Sequence, residues 1–532
     1  MNLPANSVLR ISAATRGLTT VIGRSFAATG HAAPVDSGHV KHDATLYRFA
    51  VAGILVLTIL RFVLAATLPL AFDEAYFWLW TKHPAISYYD HPPMMELAIR
   101  GGTLLFGDTQ FGVRFVPLLA SVAASWAVWR SAAILLADDA AAIAACLLFN
   151  ATLMFAAESM SATPDSLVLA ASALLLYAIA RLEKSQDGRW WLAAGLSTGI
   201  ALFSKYTAFF LCVSIVLWLV VSPAGRRWWR SPWLYLGAAL ACSFLVSTIL
   251  WNASHDWISF KFQFGRIVVG HATFRFLLEF AAAQLALASP FVLVLGGAGL
   301  VRASRPSLWG GPFAFAAAMV WPALIYFLIH AIHSRVQGNW PSFVYPGLIL
   351  LAAWALTTRS PDPRLESVRQ ISRLLVFPVA ASILAVAYAQ GFFGVLAIGR
   401  HDPIARMTAV GIMPEMSDIS ALVRDHHAAA IVTTNYVATA WLAFYLRPHV
   451  PIVQITEDYR FLSAPRADPA LLRKPLLYVT QEPDKEAATA MLHFSGLSSV
   501  ADLVRMRSGM EVDRFHVYSL SGFHGAPLGR VE

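Results

Sequence analysis

Long apolar runs broken by short polar connections dominate the first three quarters of this chain. Counted at roughly 20 apolar residues per bilayer crossing, eleven candidate spans emerge. They lie near residues 48–70, 112–135, 138–157, 164–181, 190–204, 206–222, 232–251, 277–301, 312–331, 342–358 and 373–395. The pair 190–204 and 206–222 is short and nearly continuous, with a polar hinge at Ser204-Lys205-Tyr206. It reads either as two half-length helices or as one re-entrant pair. After Tyr388 the pattern changes. Short β-type runs at Ala429–Thr433, Pro451–Ile455, Leu476–Val479 and His516–Tyr518 alternate with helical patterns such as Met416–Leu422 and Lys485–Phe494. Such alternation predicts a small α/β domain of about 130 residues. The expected architecture is an all-α polytopic membrane protein with three parts: a tail (1–45), a membrane domain (46–398) and a small C-terminal α/β domain (399–532).

Composition sharpens this picture. The chain is 57% hydrophobic and only 13% charged, against the quarter or so expected of a soluble chain. Its net charge of +9 does not form a nucleic-acid patch, because most Lys and Arg sit in short loops between apolar runs, where they report topology. With a cytoplasmic N-terminus, the even-numbered connections carry Arg181, Lys184 and Arg189, then Arg226, Arg227 and Arg230, then Arg302 and Arg305, then Arg359, Arg364, Arg369 and Arg373. The first cytoplasmic loop, with Asp138-Asp139 near Arg130, fits this rule least well. The odd-numbered connections and the C-terminal domain face the other side. Residues 1–45 lack an h-region and cleavage site and read as a disordered cytoplasmic tail. Cys146, Cys212 and Cys242 all fall within apolar runs without paired spacing, which predicts neither disulfides nor a metal cluster.

The odd-numbered connections collect the residues suited to chemistry. Asp73-Glu74 follows directly on the first span, ahead of Tyr76, Phe77, Trp78, Trp80 and Tyr88. Acids near lipid are costly and tend to mark function, and Trp and Tyr favour the interface. The segment therefore reads as a short amphipathic stretch carrying an active-site carboxylate. The simpler reading is a helix N-terminus, where carboxylates meet free N–H groups. Glu158 and Asp165 flank Pro164 at the start of the fourth span. Asp165 is either a dipole-favoured residue or a second acid orienting a hydroxyl. Lys205 is either a snorkelling lysine or a phosphate contact, with His91, Lys261 and Arg266 as further cations. The loop from Trp251 through His255 to Arg266 mixes aromatics and cations, as suits either a lipid-linked anion or an interfacial helix. Asn339, in Gln337-Gly338-Asn339-Trp340-Pro341, is an amide donor to sugar hydroxyls or part of a span-opening turn. No HExxH, Walker A or nucleotide-sugar DxD motif is present.

Taken together, Asp73-Glu74, Tyr-Tyr-Asp90-His91-Pro-Pro-Met, Thr-Pro-Asp165, Ser-Lys205-Tyr206, Trp-Asn252-Ala-Ser-His255-Asp-Trp and Asn339-Trp-Pro resemble the family 39 membrane glycosyltransferases. That group includes the protein O-mannosyltransferases and, closer here, bacterial relatives of the lipid A aminoarabinose transferase. The resemblance covers roughly residues 48–460. It implies the C-type glycosyltransferase fold with about 11–13 transmembrane helices and a periplasmic C-terminal domain. The implied location is the bacterial inner membrane, with the active site facing the periplasm. The donor would be a sugar on polyprenyl phosphate, the acceptor lipid A, lipopolysaccharide core, another glycan or a protein side chain, and the outcome inversion. Residue by residue, Asp73 resembles the essential first-loop acid, beside Glu74, and Asp165 the second acid. Lys205 matches a donor-phosphate lysine. Tyr88, Glu158 and Asn339 are candidates for acceptor or sugar contacts. Asp90-His91 stands where the aminoarabinose transferase has Glu-Lys, a departure bearing on phosphate grip and sugar identity. Members of the group can bind a divalent metal ion beside this site, and Asp90 with His255 is the nominated pair. Asn435-Tyr436 and Ala443-Phe444-Tyr445 resemble the periplasmic domain of these relatives.

Two other function classes compete. A transporter or flippase for lipid-linked sugars would place polar sites near mid-bilayer, often within repeated halves. Here the ionisable residues gather at one interface and no repeat is visible. An assembly or sensor subunit would leave the acids of two separate loops without a role.

Overall fold

The computed structural model describes residues 44–265, 272–359, 362–483, 486, 490–524 and 529–531. The expected tail thus lies almost wholly outside the described residues. Among the described residues, six helices are long and apolar enough to cross a membrane: Tyr47–Thr67, Gln110–Leu136, Pro164–Ser185, Pro232–Ser254, Ala314–His333 and Pro363–Phe393. The number rises to eight if each of two bent pairs is one span, Tyr206–Val221 with Pro223–Arg230 and Phe274–Ala288 with Pro290–Ala303. This is a multi-pass membrane protein.

Each of the eleven expected spans contains helix, yet several are broken or short. The expected span 277–301 bends by 100° between its two halves. Ser289, at φ 76°, precedes Pro290 there, and a residue before proline is steered away from helix. The expected span 138–157 is split at Thr152, whose hydroxyl caps a second short helix, Leu153–Glu158. Asp139–Ala151, Trp190–Leu202 and Ser342–Thr357 are apolar helices below the length of a full crossing; a 13-residue helix spans only about 20 Å.

Pro164–Ser185 is the central helix, with 83% of its most apolar window buried, whereas Tyr47–Thr67 is peripheral at 17%. Glycine lets neighbouring helices approach closely. A Cβ at Gly195 would sit 2.2 Å from the Gly237 carbonyl oxygen, so Trp190–Leu202 packs backbone to backbone against Pro232–Ser243. The basic connections gather at one end of the bundle: Gly188 lies against Trp233 and Ser231, and Gly310 against Pro223.

The C-terminal domain is built on a six-stranded sheet of order β4-β5-β3-β1-β2-β6. Its strands are β1 (Ala430–Thr433), β2 (Ile452–Gln454), β3 (Leu476–Thr480), β4 (Phe494–Arg507), β5 (Met510–Phe523) and β6 (Arg530–Val531). β1 pairs in parallel with β2 and β3, and all three are buried along their length, as strands covered on both faces are. The four expected β runs all appear. The helical pattern expected over 485–494 falls partly outside the described residues, and Phe494 opens β4.

The C-terminal domain shares a core with the first loop. The Phe72–Trp80 and Tyr436–Tyr445 helices pack through Trp78 on Phe444, centroids 4.9 Å apart, and Phe72 on Tyr436, 5.9 Å apart. The Leu70 N–H donates to the Tyr445 hydroxyl (2.6 Å), and the Ala409 N–H to the Leu70 carbonyl (2.9 Å). These contacts set the domain directly over the residues of the candidate site.

Candidate active site

Glu74 fixes the first-loop helix. Its carboxylate accepts from the Ala71 N–H (2.8 Å), the Ala162 N–H (2.8 Å), Arg114 Nε (2.7 Å) and Arg114 Nη2 (2.5 Å). Arg114 in turn donates to the Ala65, Leu68 and Pro69 carbonyls. With both oxygens doubly engaged and the residue 1% exposed, Glu74 is a tie between the first loop, the Gln110–Leu136 helix and the Ala162 turn. Asp73, one residue earlier and about 100° round the helix, is the acid left for chemistry.

Asp73 accepts a hydrogen bond from the Tyr436 hydroxyl at 3.3 Å. Burial, followed by the neighbouring Asp90, pushes its carboxyl up to about 6, against the opposing pull of Tyr436, Arg460 and Lys205. Asp90 is itself held by Arg460 Nη1 at 2.6 Å and by the Tyr76 hydroxyl at 2.7 Å. Arg460 also pairs with Glu457 (3.2 Å) and lies 4.6 Å from the Tyr436 ring centroid. Glu457 accepts the Tyr436 N–H at 2.7 Å. One wall of the site is therefore contributed by the C-terminal domain.

The opposite wall comes from the bundle. Pro164 starts the Pro164–Ser185 helix, which places Asp165 in its first turn. Lys205 stands at the break between the Trp190–Leu202 helix and the Tyr206–Ala208 turn. Its ammonium is 2.6 Å from Asp165 Oδ2, which also accepts from Asn339 Nδ2 at 3.0 Å, while Ser342 Oγ reaches Asp165 Oδ1 at 3.4 Å. Glu158 accepts from the Thr163 hydroxyl at 3.1 Å and interacts with Asn339, Asp165 and Lys205. Lys205 acts electrostatically on Asp73 as well, so the two walls meet. Asp73, Glu158, Asp165, Lys205 and Asn339, read from four separate stretches of sequence, form one constellation.

Other expected residues stand apart from it. Tyr88 is buried and stacked on Trp80 (4.0 Å, 7°), with its hydroxyl bonded to Trp80 O and Ala85 N. That arrangement shapes the loop and presents no hydroxyl to a sugar. The His91 ring packs near Phe77, at 6.0 Å between centroids. Lys261 is exposed on the Ile258–Gly265 helix, which docks on the site loop through Gln263 to the Asp90 carbonyl (3.0 Å) and Ser259 to the Tyr88 carbonyl (3.2 Å). Arg266 lies outside the described residues. The Asp90 and His255 pair does not fit a divalent ion. Asp90 gives its oxygens to Arg460 and Tyr76, and His255 stacks on Trp251 (4.1 Å) with Nδ1 against the Trp251 carbonyl (2.8 Å). Among the described residues no group of three or more His, Cys, Asp or Glu side chains is placed to hold a metal.

Sequence reasoning missed Tyr76, Glu457 and Arg460 as site residues and noted Tyr436 only as part of a domain resemblance. The available signal was the cluster Glu457-Asp458-Tyr459-Arg460, charged and aromatic residues following a buried strand.

Comparison with known proteins places this geometry. The family model described as dolichyl-phosphate-mannose-protein mannosyltransferase matches residues 90–251, a stretch that takes in Asp90, Glu158, Asp165 and Lys205. The crystal structure of ArnT from Cupriavidus metallidurans bound to undecaprenyl phosphate superposes with a TM-score of 0.60 at 17% identity, over 90% of this chain and 98% of that one. The chain has the C-type glycosyltransferase fold. The apo form of the same ArnT gives a TM-score of 0.57 at 18% identity. The lipid A galacturonosyltransferase RgtD of Rhizobium johnstonii is 24% identical over 318 residues, 58% of this chain and 65% of RgtD. The chain thus spans just under two thirds of the curated relative it matches. The family model carries the motif resemblance over residues 90–251, and the likeness to ArnT is one of fold.

Proposed function

We propose that this protein is an integral membrane glycosyltransferase of the bacterial inner membrane. In this reading it moves a sugar from a polyprenyl-phosphate donor to lipid A or a related lipopolysaccharide acceptor, with inversion, on the periplasmic side. The observation that carries the reading is the pairing of two unlike walls. A half-buried acid, Asp73, has a carboxyl near 6, and a buried cation, Lys205, is held in place by Asp165, which Asn339 also bonds. Transfer needs both. As the acceptor oxygen bonds to the anomeric carbon and the carbon–phosphate oxygen bond breaks, the hydroxyl proton passes to Asp73, a general base ionised at neutral pH. The charge developing on the leaving phosphate meets a preorganised cation. Asp165 orients the Lys205 ammonium, Asn339 bonds Asp165, and Glu158 completes their polar network. Lys261 stands within the neighbouring helix as a further cation for the donor. The likeness to RgtD, a lipid A galacturonosyltransferase, and to ArnT, crystallised with undecaprenyl phosphate, supports the acceptor and donor classes.

The test is sugar transfer in vitro from polyprenyl-phosphate donors to lipid A, with donor binding measured in parallel. Asp73→Asn keeps shape and removes the base, and transfer should fall by at least about 100-fold with binding retained. Near-wild-type transfer by this variant would overturn the assignment.

A further inference from the structure

Beyond the far end of the Asp73 helix lies a second polar cavity. It has a volume of about 320 Å³ and is lined by Thr81, Lys82, Arg100, Thr103 and Asp108, with Leu104 on its rim. Lys82 lies nine residues beyond Asp73, roughly 13 Å along a helix axis, so the cavity is separate from the candidate active site. Asp108 holds the Lys82 ammonium at 2.7 Å and accepts Trp78 Nε1 at 2.7 Å, and the lysine lies 4.5 Å from the Trp78 ring centroid. Arg100 pairs with Glu96 at 3.0 Å, where the acid is buried and the arginine exposed. Exposed Arg447 acts on Asp108 from the C-terminal domain. Around the cavity the cations Lys82, Arg100 and Arg447 outnumber the acids Glu96 and Asp108, and the His449 ring is held below its ordinary range by burial and by Arg447 and Lys82.

Beside this cationic cavity, the Met94–Phe106 helix turns an apolar surface outward. Leu104 is 78% and Leu105 68% exposed, and Leu97 and Phe106 are exposed with them. A soluble phosphate needs cations but no leucines. An amphiphile with a phosphate headgroup needs both, side by side, as interfacial helices provide them. We propose that this cavity binds the phosphate headgroup of an anionic phospholipid in the leaflet facing the active site, with the acyl chains against Leu104 and Leu105. Such a lipid sets the depth of the first-loop helix, and hence of Asp73, at the membrane surface.

The experiment is a titration of the purified full-length protein in detergent by native mass spectrometry. Phosphatidylglycerol is the probe, phosphatidylcholine the control and inorganic phosphate the competitor. One phosphatidylglycerol should be retained in preference to phosphatidylcholine, and inorganic phosphate at matched concentration should not displace it. Lys82→Gln should weaken retention about five-fold, the scale of one cation at a charged lipid surface. Asp108→Asn, which keeps an acceptor for Trp78 and removes the opposing charge, should strengthen it by a similar factor. Unchanged binding in both variants, equal retention of phosphatidylcholine, or displacement by inorganic phosphate would each overturn the proposal.

Discussion

The Lys205 ammonium lies 2.6 Å from Asp165 Oδ2, with both side chains buried. A snorkelling lysine would reach for open interface, whereas this one reaches a carboxylate inside the protein. Removing either partner strands the other as a buried charge, which costs about 3–5 kcal/mol. Lys205→Ala should therefore lower the melting temperature as well as abolish transfer. Lys205→Met combined with Asp165→Asn removes both charges and should recover most of the melting temperature without recovering activity. Transfer at wild-type rate by the double variant would remove the pair from catalysis.

Asp73 predicts the acid limb of the pH profile. Its carboxyl near 6 means that kcat/KM should climb through about pH 6 and level above it, since the base works only when ionised. Tyr436 hydrogen bonds to the ionised form and so opposes the rise. Tyr436→Phe should shift the limb to higher pH while sparing the plateau more than the limb. The sign for stability is opposite to that for activity. The folded carboxyl binds its proton more tightly than the unfolded one, so this group's contribution is full below about pH 4 and is lost as pH rises through about 6. A limb unmoved by Tyr436→Phe would detach it from Asp73.

Glu74 should separate cleanly from its neighbour. Glu74→Gln disrupts a buried four-fold acceptor and leaves Arg114 without its counter-ion, at a cost of about 3–5 kcal/mol. The expected signature is a large drop in melting temperature, with residual activity tracking the folded fraction. A variant that melts like wild type yet fails in transfer would return Glu74 to the catalytic group.

Topology is testable with two fusions. Arg226, Arg227 and Arg230 lie in the connection at the basic end of the bundle, and positive loops stay inside. Reporters at Gly225 and after Val531 should give opposite readouts. Matching readouts would contradict a periplasmic active site.

Much of the bundle half of the site was legible in the sequence, because Asp73, Asp165, Lys205 and Asn339 all sit at span ends and simple alternation of loops sorts span ends by face. The domain half was not. Arg460 meets Asp90 across 370 residues, through a docking of helix on helix that no local period encodes. Tyr88 stood out by its neighbours, Asp90-His91, yet its ring is spent on Trp80, and Tyr76, one helical turn beyond Asp73, carries the carboxylate contact. The β4–β5 hairpin escaped notice because β4 has no continuous apolar run. Its turn was marked all the same by Ser508 and Gly509, both at positive φ (49° and 74°), the backbone that tight hairpins require. The break at Ser289-Pro290 was likewise written in the chain and outweighed by the length of the apolar run around it.

The hydrogen bond from Tyr436 to Asp73 spans 363 residues of chain, and it carries a consequence for biogenesis. At about 5–20 residues per second, the ribosome needs on the order of half a minute between making the acid and making its partner, and every later span must be inserted in that interval. A nascent or truncated chain therefore lacks Tyr436 and the rest of the wall that the C-terminal domain contributes. On the proposed function, an unfinished copy should leave lipid-linked donor unused, because the hydrogen bond to Asp73 is among the last contacts to form.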